Sequence, residues 1–97
     1  MNKIKKSYKL LNLITFFTTK GKEIRAWPIK KNTRVIDAAG KIHNDMKEGF
    51  IKAEIIKFKD FEKYKNEHLL REKGLIKLEG KDYIVEDGDI INIQFNR

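Results

Sequence analysis

No cysteine occurs among the 97 residues, so this chain can build neither a disulfide framework nor a thiolate metal site. Long apolar runs are missing as well, and none approaches the roughly 20 residues needed to cross a bilayer. The basic start Met1-Asn2-Lys3-Ile4-Lys5-Lys6 is followed by no apolar secretory core and no small-residue cleavage site. A membrane partner is therefore not expected, and a cytoplasmic location is. Proline appears once, at Pro28, and acidic residues are almost absent from the first third of the chain. Residues 1–35 hold ten Lys/Arg against the single Glu23, residues 36–73 nine against eight, and residues 74–97 three against five. The net charge of +8 is thus concentrated at one end, a distribution that can steer a polyanion to one side of a domain. The same lysines also serve as a solubilising surface, and charge alone leaves both uses open.

What is present suffices for one domain with a modest core: 40% apolar residues and 37% charged ones fit a globular fold with a heavily charged exterior. Ile4, Tyr8 and Leu11 at i, i+4, i+7 spacing, with Lys5, Lys6 and Lys9 opposite, predict an amphipathic helix over Asn2–Leu13. Its short apolar stripe suits packing on protein better than a membrane surface. Ile14–Thr19 and Glu23–Ile29 are rich in β-branched and aromatic residues on either side of Lys20-Gly21-Lys22, which predicts a hairpin. Pro28 lacks an N–H, so the second strand belongs at a sheet edge.

Thr33 is the expected N-cap of a second helix, with Val35, Ala38, Ala39 and Ile42 on one face. Gly49–Phe58 reads as a third strand with Ile51, Ala53 and Ile55 on one face. Asp60–Lys73 is charged and helix-prone, with Gly74 as its stop. Short strands near Ile76–Leu78 and Lys81–Val85 precede a closing strand in which Ile91, Ile93 and Phe95 share a face. The glycine turn Asp87-Gly88-Asp89 leads into that strand; glycine reaches positive φ there, and aspartate bonds nearby backbone N–H groups. The fold class is therefore α+β: a β-grasp (ubiquitin-like) arrangement with a mixed sheet of about five strands, one main crossing helix and an extra N-terminal helix.

Four segments carry a resemblance in order: Ile24-Arg25-Ala26-Trp27, Ala38-Ala39-Gly40-Lys41-Ile42-His43-Asn44-Asp45, Gly49-Phe50-Ile51-Lys52-Ala53-Glu54, and Tyr83-Ile84-Val85-Glu86-Asp87-Gly88-Asp89. They resemble the C-terminal part of the Obg-like ATPases, or YchF-type GTP-binding proteins. That part is a TGS domain, a β-grasp module also found in threonyl-tRNA synthetases and in stringent-response synthetase/hydrolases. The stretch Leu10–Thr18 looks like the family's passage from its nucleotide-binding domain into the TGS domain. The resemblance thus implies residues 1–13 as a helix from the end of the nucleotide-binding domain and residues 14–97 as the TGS domain. The sequence departs from the family at Pro28, where threonine is usual, at Asn32, where glycine is usual, and over Lys63–His68.

The same resemblance implies ATP or GTP with Mg as cofactors of a longer parent, and these need a phosphate-binding loop. The Gly-Lys pairs here are Gly21-Lys22, Gly40-Lys41 and Gly80-Lys81. None is followed by Ser or Thr, and none has a glycine five residues earlier. This chain is expected to bind no cofactor, to hydrolyse no nucleotide, and to be a TGS fragment of a longer protein rather than a stand-alone one.

Candidate contacts follow from charge. Lys30, Lys31 and Arg34 cluster where hairpin meets helix, at a helix N-terminus with backbone donors to offer, and Lys41 and His43 follow. Arg25 and Lys52 extend the patch if the sheet's outer face is open. Because TGS domains accompany RNA-linked proteins, the resemblance implies RNA or ribosome contact at this basic edge; a solvated basic edge is the plain alternative. Phe16, Phe17, Phe50 and Phe58 belong in the core, whereas Trp27 shares a strand face with Arg25, and the pair could hold a base or a partner's side chain if that face is outward. Ile4, Tyr8 and Leu11 are candidates for interdomain contact. No catalytic or metal residues are assigned: His43 lacks a nucleophile or second histidine, and Glu86, Asp87 and Asp89 lack the other ligands of a calcium loop.

Two functions compete. One is a non-catalytic accessory domain that binds RNA, ribosome or another nucleic acid through the basic edge. The other is a protein-interaction and regulatory module that packs on its own nucleotide-binding domain. A ubiquitin-like modifier would need a terminal Gly-Gly in place of Asn96-Arg97 and is not expected.

Overall fold

The structure, a computed structural model, describes residues 12–96. The expected N-terminal helix, with Ile4, Tyr8 and Leu11, lies outside the described residues up to position 11. Its last two positions are not helical: Asn12 has φ 59°, and Leu13 already belongs to the first strand.

Strands β1 (Leu13–Lys20) and β2 (Glu23–Lys30) form the predicted hairpin, paired antiparallel from Leu13↔Lys30 to Lys20↔Glu23. A two-residue turn closes it, and Gly21 takes the positive φ of 61° that such a turn needs. The even positions of β1 bond toward β2, as the Lys31 N–H to Asn12 carbonyl bond (2.8 Å) shows. Thr15 instead turns its N–H and carbonyl away, to Asp87 and Gly88. Pro28, opposite Thr15, therefore sits where the missing N–H faces the open edge, and the sheet loses no bond.

Helix α1 (Val35–Ile42) crosses one face of the sheet. Val35, Ala38 and Ala39 are each no more than 1% exposed, and the two alanines let the helix lie close on Phe16, Ile91 and Ile93. Burying each large aliphatic or aromatic side chain in this layer stabilises the fold by about 1.5–3 kcal/mol. The N-cap is Arg34, not Thr33, and no side chain caps it; the Thr33 hydroxyl donates instead to the Lys30 carbonyl at 2.6 Å. A short helix α2 (Asn44–Glu48) follows, capped by His43, whose Nδ1 accepts from the Asp45 N–H at 3.0 Å.

Strand β3 (Phe50–Lys57) pairs with the closing strand β5 (Asp89–Phe95), and β5 runs parallel to β1, giving the order β2-β1-β5-β3-β4 with β4 at Lys77–Glu79. A register shift between Phe50 and Lys52 makes Ile51 a bulge residue, 48% exposed. The expected shared face thus holds for Ala53 and Ile55, which are buried, but not for Ile51. The helix-prone stretch forms two short helices, α3 (Phe58–Tyr64) and α4 (Glu67–Glu72). Lys65 at φ 51° breaks the chain between them, and the Asn66 carboxamide caps α4 through the Leu69 N–H. Phe58, expected in β3, starts α3 and packs on Phe17 with ring centroids 5.4 Å apart.

The second sheet face is partly polar. Glu54, only 6% exposed, accepts from Arg71, Asn92 and Gln94 at 3.0–3.2 Å. Burial alone would raise its carboxyl, and those bonds outweigh burial to hold it below the ordinary range. The expected strand over 81–85 does not form; a single bridge joins Ile84 to Arg34.

Candidate nucleic-acid interface

The turn that opens β5 is a structural clasp. The Asp87 carboxylate accepts from the Thr15 N–H at 2.9 Å, and the Gly88 N–H donates to the Thr15 carbonyl at 2.8 Å. Asp89 is fully buried and accepts from Lys57 Nζ (2.7 Å), the Tyr83 hydroxyl (2.7 Å) and the Glu86 N–H (2.9 Å). Lys57 also pairs with Glu86. Burial pulls the Lys57 ammonium down, yet its bonds to Asp89, Glu86 and Tyr83 prevail and hold it above the usual lysine range. Burial, then the bond to Asp89, pushes the Tyr83 phenol up to about 12. Lys57 is the structurally important cation that sequence reasoning missed. The available signal was the excess of carboxylates at Glu86–Asp89, which required a cation from elsewhere in the chain.

The basic edge is less uniform than its sequence suggests. Lys30 ends β2 and Lys31 follows it; both are exposed, and neither makes an ion pair among the described residues. Arg34 is already engaged, bonding Asp82 at 3.0 Å and Asp37 at 3.3 Å. Those two carboxylates, Asp82 first, raise its guanidinium above the ordinary value, and Lys47, at 3.1 Å, helps hold Asp37 low. The start of α1 offers no free anion seat, because the Val35 N–H goes to the Tyr83 carbonyl (2.7 Å) and the Ile36 N–H to the Lys81 carbonyl (3.3 Å). The expected backbone donors are therefore spent inside the fold.

Lys41 and His43 lie at the other end of α1. Lys41 is exposed in the last turn, where its charge complements the helix carbonyls, and His43 serves as the α2 cap. Lys52 and Arg25 fall on opposite sheet faces: Lys52 shares the Glu54 face, whereas Arg25 shares the helix-side face with Trp27. The seven candidate residues thus form no single patch, and Lys30 with Lys31 is the clearest exposed pair. A shallow depression of about 320 Å³ lies beside Lys31. Glu86 and Asp87 on its wall disfavour phosphate there.

Trp27 has its Nε1–H bonded to the Thr18 hydroxyl at 3.0 Å and stacks on Phe16, with centroids 6.2 Å apart and an interplanar angle of 12°. The Arg25 guanidinium carbon lies 4.2 Å from the Trp27 ring centroid. Among the described residues no three His, Asp or Glu side chains form a metal-ligand group. In the sequence the Gly-Lys pairs at 21, 40 and 80 are followed by Glu23, Ile42 and Asp82, so none makes the Gly-Lys-Ser/Thr step of a phosphate-binding loop.

Comparison with known proteins places this geometry. The ribosome-binding ATPase YchF of Buchnera aphidicola (from Schizaphis graminum) is 54% identical over 95 residues, which is 98% of this chain and 26% of that protein. Ribosome-binding ATPase YchF of Escherichia coli O157:H7 is 53% identical over 93 residues, covering 96% and 26% respectively. Obg-like ATPase 1 of Danio rerio is 47% identical over 93 residues, covering 96% and 24%. The solved structure of the Schizosaccharomyces pombe YchF GTPase superposes with a TM-score of 0.87 at 40% identity, over 94% of this chain and 24% of that one. The chain spans about a quarter of the length of these relatives, and it lacks their ATPase domain. The YchF-GTPase_C profile, described as a protein of unknown function (DUF933), matches residues 13–96, and the chain belongs to that family.

Proposed function

We propose that this chain is the non-catalytic accessory domain of a YchF-type ATPase and contributes RNA or ribosome contact, in the cytoplasm, through Lys30 and Lys31. The observation that carries this reading is the contrast within one short stretch. Arg34 is neutralised by two aspartates, whereas Lys30 and Lys31 have no carboxylate partner among the described residues. Unpaired cations on an exposed edge release counterions from a polyanion, and such binding weakens as salt rises. The relatives named ribosome-binding support that choice of partner. ATP or GTP with Mg would be bound by the remaining three-quarters of such a protein. The test is equilibrium binding of purified ribosomes and of a single-stranded RNA by the chain across a salt series. Lys30→Gln with Lys31→Gln is expected to lower the slope of log K against log salt by about 1.4, at roughly 0.7 per lost contact. An unchanged slope would remove these residues from the interface.

A second reading has its own observation. On the outer face of the hairpin Ile24 is 52% exposed, with Ala26 and Pro28 exposed beside it. These side chains suit packing against the parent's own nucleotide-binding domain, with nucleotide state relayed and no RNA touched. In a full-length protein, Ile24→Asp would then alter nucleotide hydrolysis while leaving ribosome binding intact.

A further inference from the structure

The three arginines among the described residues are used differently. Arg34 and Arg71 each hold two carboxylates. Arg25 makes no hydrogen bond and no ion pair among the described residues; its guanidinium carbon lies 4.2 Å from the centroid of the Trp27 ring. A guanidinium resting on an indole keeps all five N–H donors in its own plane and free for a ligand. The side chain is also positioned, because everything beneath it is fixed. Trp27 is oriented by its bond to Thr18 and backed by Phe16, which is fully buried. Phe16 and Trp27 are direct partners across the antiparallel pair. Trp27 thus links buried Phe16 on β1 to exposed Arg25, which shares with it the edge strand β2. Lys20 and Lys22 at the nearby hairpin turn are exposed and make no ion pair among the described residues.

From this arrangement we infer that Arg25 and Trp27 form a stacking site for an unpaired base of single-stranded RNA. The base stacks on the guanidinium, which stays on the indole, and its in-plane donors reach the adjoining phosphate. A nucleotide offers both a flat π face and an anion one bond-length series away, which is what a planar cation on an aromatic ring accepts. Duplex bases are already stacked on each other and cannot enter. The site is separate from Lys30 and Lys31, which supply charge without reading a base. It deepens the RNA reading above and rests on it.

Trp27 is the single tryptophan of the chain, so its fluorescence reports the site directly. The chain is titrated with a short single-stranded RNA oligonucleotide, and separately with an abasic strand of equal length and charge. The expected result is saturable quenching by the RNA and binding about tenfold tighter than to the abasic strand, the discrimination that stacking one base confers. Arg25→Lys keeps the charge but removes the planar fork; it should bring the two strands to within about twofold of each other while leaving the salt slope unchanged. Circular dichroism of that variant should match the parent, since Arg25 is exposed.

If both strands bind equally and Trp27 does not respond, while Lys30→Gln with Lys31→Gln still weakens binding, the base site is wrong and the RNA reading stands. If neither strand nor the ribosome binds, both fall together. Quenching by an acidic peptide, with none by RNA, would assign the site to a protein partner and overturn the inference.

Discussion

Gly49 and Asn96 approach so closely that a Cβ on Gly49 would lie 1.6 Å from the Asn96 carbonyl oxygen. The Asn96 N–H donates to the Gly49 carbonyl at 2.9 Å, so the chain's closing strand is seated on the residue that precedes β3. Gly49 has φ −99°, which any residue adopts. Its identity is set by the neighbouring backbone and not by its own conformation. Gly49→Ala is expected to push the end of β5 off β3 and destabilise the domain by about 2 kcal/mol. Urea unfolding should show a lower midpoint with an unchanged m value.

The Lys57–Asp89 pair predicts a second effect. Asp89 is fully buried and accepts three bonds, so removing its cation leaves a buried carboxylate partly uncompensated. Fully buried pairs lose about 3–5 kcal/mol in this way. The Lys57 side chain is 40% exposed, so water screens part of the loss, and Lys57→Gln should cost about 1–2 kcal/mol. A double-mutant cycle with Asp89→Asn should recover part of that cost, because the second change removes the stranded charge.

Tyr83 should titrate late. Its phenol is raised to about 12 by burial and by its bond to Asp89, against about 10 for a free tyrosine. The folded state therefore favours the protonated form. This contribution to stability is complete below about pH 10 and is lost as pH rises through the folded value. In a Tyr8→Phe/Tyr64→Phe background Tyr83 is the only tyrosine left, and its tyrosinate absorbance should have a midpoint near pH 12. Asp89→Asn should move that midpoint down.

The hairpin was legible almost to the residue, because a Gly-Lys turn between two β-branched runs fixes both strands and their register together. So was the inner face of α1, where Val35, Ala38 and Ala39 follow the helical period. Ile51 was not, although Ile51, Ala53 and Ile55 alternate without a flaw. Its outward position is decided by the pairing of Phe50 with Phe95 and Lys52 with Gln94, which no local pattern contains. Lys81–Val85 reads as a strand for the opposite reason. Its side chains favour one, but only Arg34 lies alongside to bridge with it. The candidate site suffered from the same blindness to distant partners. Asp82, which occupies Arg34, is 48 residues away from it, so Arg34, Lys30 and Lys31 look equivalent in sequence and differ in the fold.

That difference predicts opposite behaviour for neighbouring cations. Arg34→Gln removes both ion pairs and leaves Asp37 and Asp82 without their shared partner. It should lower thermal stability and raise the Asp37 carboxyl toward its ordinary range, measurable by NMR titration of its side-chain carboxyl. Its RNA affinity should stay close to the parent's, since the guanidinium was not available to a phosphate. Lys31→Gln should do the reverse, leaving the melting temperature unchanged and flattening the salt dependence of RNA binding by about 0.7 in slope. If Arg34→Gln weakened RNA binding as much as Lys31→Gln at equal salt, Arg34 would have to exchange its aspartates for phosphate on binding. The basic edge would then act as a unit, and Asp82→Asn, which frees Arg34 without removing it, should tighten binding.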